Sequence, residues 1–184
     1  MSRLALIPAA LLTLTLAGCG TPSQPLPMAI TTADALQIRG WVPDALQRQI
    51  ALAEVQGGEE TGRWWGSKVS AAALQQALDE SLYAVGMKPA APLPVPRFEL
   101  TAELVQLEQP LVPAVGVTVG VAVRYTLLEK ADGRVVYQRL IANNNEARFS
   151  EAIVSPNERL RIANERALRA NINLLLRDLV TLRP

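Results

Sequence analysis

The chain has 184 residues, 49% of them hydrophobic, with 18 Lys plus Arg against 17 Asp plus Glu and no histidine. That length and apolar content suit one domain with a full core and exclude wholesale disorder, and the balanced charge speaks against a nucleic-acid binder. Without histidine, the commonest proton-transfer group near neutral pH and the commonest zinc ligand are missing, and the lone cysteine, Cys19, can close no intramolecular disulfide and build no thiolate metal site.

The first residues, Met1-Ser2-Arg3, form a short basic region ahead of an apolar run from Leu4 to about Leu16. As a helix that run would span roughly 20 Å, short of the roughly 30 Å hydrocarbon core of a bilayer. It has almost no polar face, so it does not suit a buried core helix, and the small residues Ala17 and Gly18 follow it as at a signal-peptide cleavage site. Residues 1–18 therefore read as a signal peptide.

Leu16-Ala17-Gly18-Cys19 resembles the lipobox of bacterial lipoproteins in residue type, order and position. The resemblance implies cleavage before Cys19, a diacylglycerol on its thiol and a further acyl chain, such as palmitate, on its amine. One acyl chain anchors only marginally, at about 0.8 kcal/mol per buried CH₂, whereas two or three hold stably. Glycine at position 20, in place of the aspartate that retains such proteins at the inner membrane, implies the outer membrane. Residues 19–43 are then the lipidated N-terminus and tether: Pro22, Pro25 and Pro27 bias "GTPSQPLP" towards an extended chain. Trp41, ahead of Val42-Pro43, reads as an apolar plug at the edge of the domain.

Residues 44–184 are expected to form a single periplasmic α+β domain. "QIALAEVQ" from Gln49 alternates weakly and reads as a first strand, and "GGEETGRWWGS" (57–67) as a loop. In residues 70–86, Leu74, Leu78, Leu82 and Val85 share one helical stripe; Ser70 suits the N-cap and Gly86 a left-handed C-terminal residue. The prolines of "KPAAPLPVP" end that helix. Strands follow at 98–108, with Phe98, Leu100, Ala102 and Leu104 on one side, at 117–130 with alternate valines inward, and at 133–144, with Asp132-Gly133 as the hairpin turn. Ser155-Pro156-Asn157-Glu158 then opens a long helix whose stripe runs through Leu168, Ile172, Leu175, Leu179 and Leu182, beside a second row of Leu160, Ala163, Ala167, Ala170 and Leu174. Arg159, Arg166, Arg169 and Arg177 fall on its other side and read as a wet face. The order strand, helix, three strands, helix predicts a two-layer α+β sandwich: a four-stranded, mainly antiparallel sheet with two helices on one face.

Trp64 and Trp65 stand together in a glycine-flanked loop. They suit either a partner-binding patch or closure of the core over the first helix. Glu59 and Glu60 could be paired acids, but neighbouring carboxylates in a loop point apart and read as solvated surface. Asn143-Asn144-Asn145 reads as a strand end or turn. No Ser/His/Asp or Cys/His constellation exists, and no cofactor or metal is expected.

With "VQGGEETGRWWGSKVS", "ALDESL", "LEQPLVP" and "ANERALRANINLLLRDL", residues 50–182 resemble a group of proteobacterial lipoproteins of uncharacterised role. In layout the chain is similar to the auxiliary lipoproteins of ABC-type lipid transporters, a likeness of topology and anchoring. Those resemblances imply an outer-membrane lipoprotein on the periplasmic side that binds an envelope protein partner and catalyses nothing, as an accessory in envelope lipid transport or assembly. A glycan-active enzyme using Glu59 or Glu60, and a direct lipid carrier, are the alternatives. Contact with the membrane would run through the lipid on Cys19.

Overall fold

The computed structural model describes residues 21–60, 67–90, 95–110, 116–152 and 155–184. In chain order they form α1 (Pro25–Met28), α2 (Thr32–Arg39), a 3₁₀ turn, β1 (Ile50–Leu52), β2 (Gln56–Gly57), α3 (Ala71–Ala84), β3 (Phe98–Glu108), β4 (Val117–Glu129), β5 (Val135–Ala147), a second 3₁₀ turn and α4 (Pro156–Leu179). The expected α+β sandwich is present. Its sheet runs β1-β3-β4-β5, and β2 also pairs with β3. β1 and β2 lie parallel to β3 because α3 intervenes and returns the chain in the same direction. β3, β4 and β5 are successive antiparallel neighbours. The sheet is thus mixed, and the single first strand expected from Gln49 onward is broken into two short pieces.

The inward faces follow the two periodicities of the sequence. Phe98, Leu100, Val117, Val119, Val123, Tyr125 and Leu127 are fully buried, and Leu74, Leu78, Leu82, Leu168, Ile172, Leu175 and Leu179 meet them from the helices. Ser70 caps α3 by accepting from the Ala73 amide at 3.2 Å, and Gly86 takes φ +80° just beyond its end. Ser155 likewise accepts from the Glu158 amide at 3.2 Å, with Pro156 in the first turn of α4. The β4–β5 hairpin is longer than the tight pair expected at Asp132-Gly133. The Glu129 carbonyl accepts from the Gly133 amide at 2.9 Å, with Gly133 at φ +72°.

The prolyl segment does not behave as a tether. From Ser23 onward it is docked on the domain. Met28 has no exposed surface, and Ile30, Ala35, Ile38, Val42 and Leu46 are buried with it in the same core. α3 and α4 touch each other little, and α1 packs against both, filling the gap between them. Proline is compatible with this because the first turn of a helix has no amide to lose there, and Pro25 stands in that turn. Trp41 is no plug: it is 77% exposed, while Val42 beside it turns inward.

Polar groups fix α4 onto the sheet. The Tyr125 hydroxyl donates to Asn171 Oδ1 at 2.9 Å, and Asn171 Nδ2 donates to the Ile141 carbonyl at 2.9 Å and to Asn143 Oδ1 at 2.7 Å. Burial, then the nearby Tyr137, pushes the Tyr125 phenol well above its ordinary value, so it remains a donor. Asn143 is therefore mid-strand and structural rather than part of a turn, and Asn143–Asn145 all lie within β5. Further along, the Tyr137 hydroxyl and Arg139 Nη1 both donate to Asp178 Oδ2 at 2.7 Å.

At the hairpin end, Glu129 accepts from Arg97 Nε at 2.7 Å and from Arg134 Nη2 at 2.5 Å, joining the starts of β3 and β5 to the end of β4. The Arg97 hydrogen bond first, then that of Arg134, holds the Glu129 carboxyl below its ordinary 4.5.

Two predictions follow from these contacts. Because the folded pKa of Glu129 lies below the unfolded one, its contribution is complete above 4.5 and disappears as pH falls through the folded value. Glu129→Gln should therefore lower the urea midpoint near neutral pH, and the gap to the parent should narrow as pH is taken below 4.5. Asn171→Ala strands the Tyr125 hydroxyl and the Ile141 carbonyl, at about 1–3 kcal/mol for each group left unpaired. Tyr125→Phe keeps both Asn171 donor bonds and should cost less in the same urea titration.

Candidate partner-binding and anchoring site

Cys19, Trp64 and Trp65, the residues singled out for lipidation and partner binding, lie outside the described residues. What the structure gives is the ground on either side of them. The loop that carries the tryptophans leaves after β2 and re-enters before α3. Its two limbs are joined where the Glu59 amide donates to the Val69 carbonyl at 2.9 Å. Gly57 and Gly58 make this possible: they take φ +77° and +81°, and a Cβ on either would stand 2.3 Å from the Leu104 carbonyl oxygen and 2.6 Å from that of Val69.

Beside the limbs, β3 slips register between Leu104 and Gln106. The bulge turns Val105 out to 44% exposure. Gly58, Glu59, Lys68 and the segment Leu104–Leu107 line a cleft of about 150 Å³. Glu59 pairs with Lys68 at 3.1 Å with its side chain 71% exposed, and Glu60 is exposed next to it. The two carboxylates thus form no shared site.

The returning limb is bound to the N-terminal segment. The Ser23 amide donates to the Lys68 carbonyl at 3.2 Å, and the hydroxyls of Ser23 and Ser67 are 3.3 Å apart. Asn164 of α4 joins both, donating to Ser23 Oγ at 3.3 Å and to the Ser67 carbonyl at 3.1 Å. Gln109, just past β3, donates to Asn164 Oδ1 at 2.8 Å and to the Ser67 carbonyl at 2.7 Å. Ser67 and Asn164 have no exposed surface and Ser23 has 4%. The next residue, Gln24, donates its amide to Glu165 Oε1 at 2.7 Å, and Arg161 grips the same carboxylate. Arg169 donates to the carbonyls of Pro27 and Ala29, and the Ile30 amide donates to Ser81 Oγ at 3.1 Å. The whole path from Ser23 to Ile30 is hydrogen-bonded to α3, α4 and the loop stem.

The arginines expected on a wet face of α4 divide accordingly. Arg159 is 4% exposed and donates to the Ala152 carbonyl, Arg169 holds α1, Arg166 pairs with Glu151, and Arg177 is exposed. Asn164, Asn171 and Asp178, which fasten α4 to the sheet and the loop stem, are polar residues whose spacing carries a signal in the sequence. They recur every seven residues within the apolar stripe of α4, a spacing that keeps them on one face.

Among the described residues no group of three or more His, Cys, Asp or Glu could hold a metal ion, and no helix is long and apolar enough to cross a membrane.

No family model and no curated protein matches the sequence. Solved structures do match the fold. Protein XCC0632 from Xanthomonas campestris, of family DUF330, superposes with a TM-score of 0.58 over 85% of this chain and 92% of its own, at 15% identity. A candidate lipoprotein from Caulobacter crescentus superposes with a TM-score of 0.51 over 80% of this chain and 96% of its own, at 14% identity. The chain shares their fold.

Asn164→Ala removes the donor common to Ser23 and Ser67. Amide hydrogen exchange of residues 23–30 should then accelerate by about tenfold or more while β4 keeps its protection, since a lost buried bond is worth about 1–3 kcal/mol.

Proposed function

We propose that this protein is an outer-membrane lipoprotein, acylated on Cys19, whose periplasmic domain is a non-catalytic binding module in envelope lipid transport or assembly. The observation that carries the reading is the apolar run closing on Leu16-Ala17-Gly18-Cys19 directly ahead of a folded domain. The fold shared with a candidate lipoprotein supports it. Glycine at position 20 supports the outer membrane over the inner.

Binding is favoured over chemistry by the state of the acids. Glu59 is an exposed carboxylate neutralised by Lys68, and Glu60 is exposed beside it; a general acid needs a carboxyl set apart from water. A protein partner is favoured over a lipid carried inside the domain because the sheet–helix interface is filled by side chains of a single continuous core. Trp64 and Trp65 are the residues assigned to the partner, on a loop whose stem is braced by the Glu59–Val69 and Ser23–Lys68 bonds.

Intact-mass analysis of native protein should give a chain beginning at Cys19 with a diacylglycerol and an amide-linked acyl group; an unmodified thiol, or retention of residues 1–18, overturns the anchor. Cys19→Ser should move the protein from the membrane to the soluble envelope fraction. Replacing Glu59 and Glu60 together by Gln should leave any loss-of-function phenotype fully complemented, whereas loss of complementation would favour the enzyme. Crosslinking in cells from a probe beside Trp64 should capture an envelope protein.

A further inference from the structure

We infer that the end of the domain holding Ser23 faces the bilayer and abuts it, with the β4–β5 hairpin pointing away. The inference rests on acylation of Cys19. Ser23 is the first residue with buried hydrogen bonds to the domain, held by Lys68, Ser67 and Asn164. Three residues, four Cα-to-Cα steps, separate it from Cys19, a reach of no more than about 14 Å when fully extended.

The domain is much longer than this tether. β4 has 13 residues, about 40 Å of strand, and α4 has 24 residues, about 36 Å of helix. Both run from the Ser23 end to the opposite one. The stem of the 61–66 loop, the end of β3, the start of β4, the end of β5 and the start of α4 lie with Ser23. Gly86, Arg97, the hairpin at Lys130–Gly133 and Asp178 lie at the other end. A tether of that reach does not let the domain turn over, so the far end cannot be presented to the lipid while the near end is remote from it.

The near end is also suited to the approach. There Lys68 pairs with Glu59, Arg161 with Glu158 and Glu165, and Arg166 with Glu151, beside the exposed Glu60, Glu108, Glu146 and Arg148, a polar surface of the kind that meets headgroups rather than hydrocarbon. The open face of the sheet carries Glu99 with Lys130 and Glu103 with Arg124 along its length, so lying flat would bring charges of the whole sheet against the lipid rather than those of one end. The domain therefore stands on its end. The surface formed there by the start of α4 and the end of β5 abuts the lipid headgroup layer of the membrane that holds the acyl chains.

The test uses the full lipidated protein in phosphatidylethanolamine–phosphatidylglycerol vesicles. Once Cys19 is acylated, an introduced cysteine is the only free thiol. A donor fluorophore is placed at Glu60→Cys or Glu146→Cys, both exposed at the near end, or at Asp132→Cys in the far hairpin, and energy transfer to a headgroup-labelled lipid is read. Transfer from each near position should exceed that from the hairpin by roughly twofold or more, given a separation of about 40 Å. Equal transfer from all positions means a domain lying flat, and stronger transfer from the hairpin means an inverted one; either overturns the orientation while leaving the anchor intact. Failure of the protein to float with the vesicles overturns the anchor, and the orientation with it. The two near labels give independent readings should one of them disturb the loop stem.

Discussion

The structure depends on a row of polar side chains set into the apolar face of α4. Asn164, Asn171 and Asp178 stand seven residues apart and take hold of the loop stem, the middle of the sheet and the start of β5 in turn. An apolar stripe of leucines specifies which side of a helix is buried, but its grip is non-directional, and a shift by one turn would still bury leucine against valine. The amides are less tolerant. Each misplaced buried polar group costs about 1–3 kcal/mol, and Asn171 bonds the Tyr125 hydroxyl, the Ile141 carbonyl and Asn143 Oδ1 at once. A helix displaced from this register would forfeit those bonds together, so the row sets the one position in which α4 closes the sheet.

Placing α4 leaves a groove beside α3, and the N-terminal segment fills it. Met28 is as deeply buried as Leu78 or Leu168. The hydrogen bonds of this segment run to side chains rather than to a strand or helix partner: Ser81 takes the Ile30 amide, Glu165 the Gln24 amide, and Arg169 the carbonyls of Pro27 and Ala29. A chain rich in proline has few donors to satisfy, which suits it to a groove lined by helices whose own backbones are already bonded.

These two facts explain which parts of the fold were legible. α3, β3, β4 and α4 were readable nearly to the residue, because each carries a clean periodicity and its own punctuation: Ser70 and Gly86, Ser155-Pro156 and Glu158. The N-terminal segment was not, because Pro22, Pro25 and Pro27 give the same local signal in an extended tether as in the first turn of a docked helix, and only the groove between α3 and α4 decides between them. β1 and β2 are too short for a period to declare itself, and their parallel pairing follows from the crossover through α3. Arg159 and Arg169 were misplaced because helical spacing places a side chain on a face without saying what covers that face; here α1 and the Ala152 carbonyl do. Cys19 and the tryptophan pair stand out as residue types but lie outside the described residues, whereas the network beside them was not legible, since Ser23, Ser67, Gln109 and Asn164 are brought together from four distant parts of the chain.

That network joins Ser23, the start of the docked N-terminal segment, to the core. Asn164 lies on the same helix and the same face as Asn171, so the bonds that hold the residues nearest Cys19 belong to the row that sets α4 on the sheet. A pull on the N-terminus is met first by Ser23 and Gln24, then by Arg169 and Ser81, and behind them by the burial of Met28. Such a chain does not pay out under load as a free linker does. The same contacts brace the stem of the loop bearing Trp64 and Trp65, because Ser67 and Lys68 are its last described residues and the ones that hold Ser23. Ser23 and the loop stem at Ser67 and Lys68 are therefore held to one another by the most deeply buried polar groups at that end of the molecule.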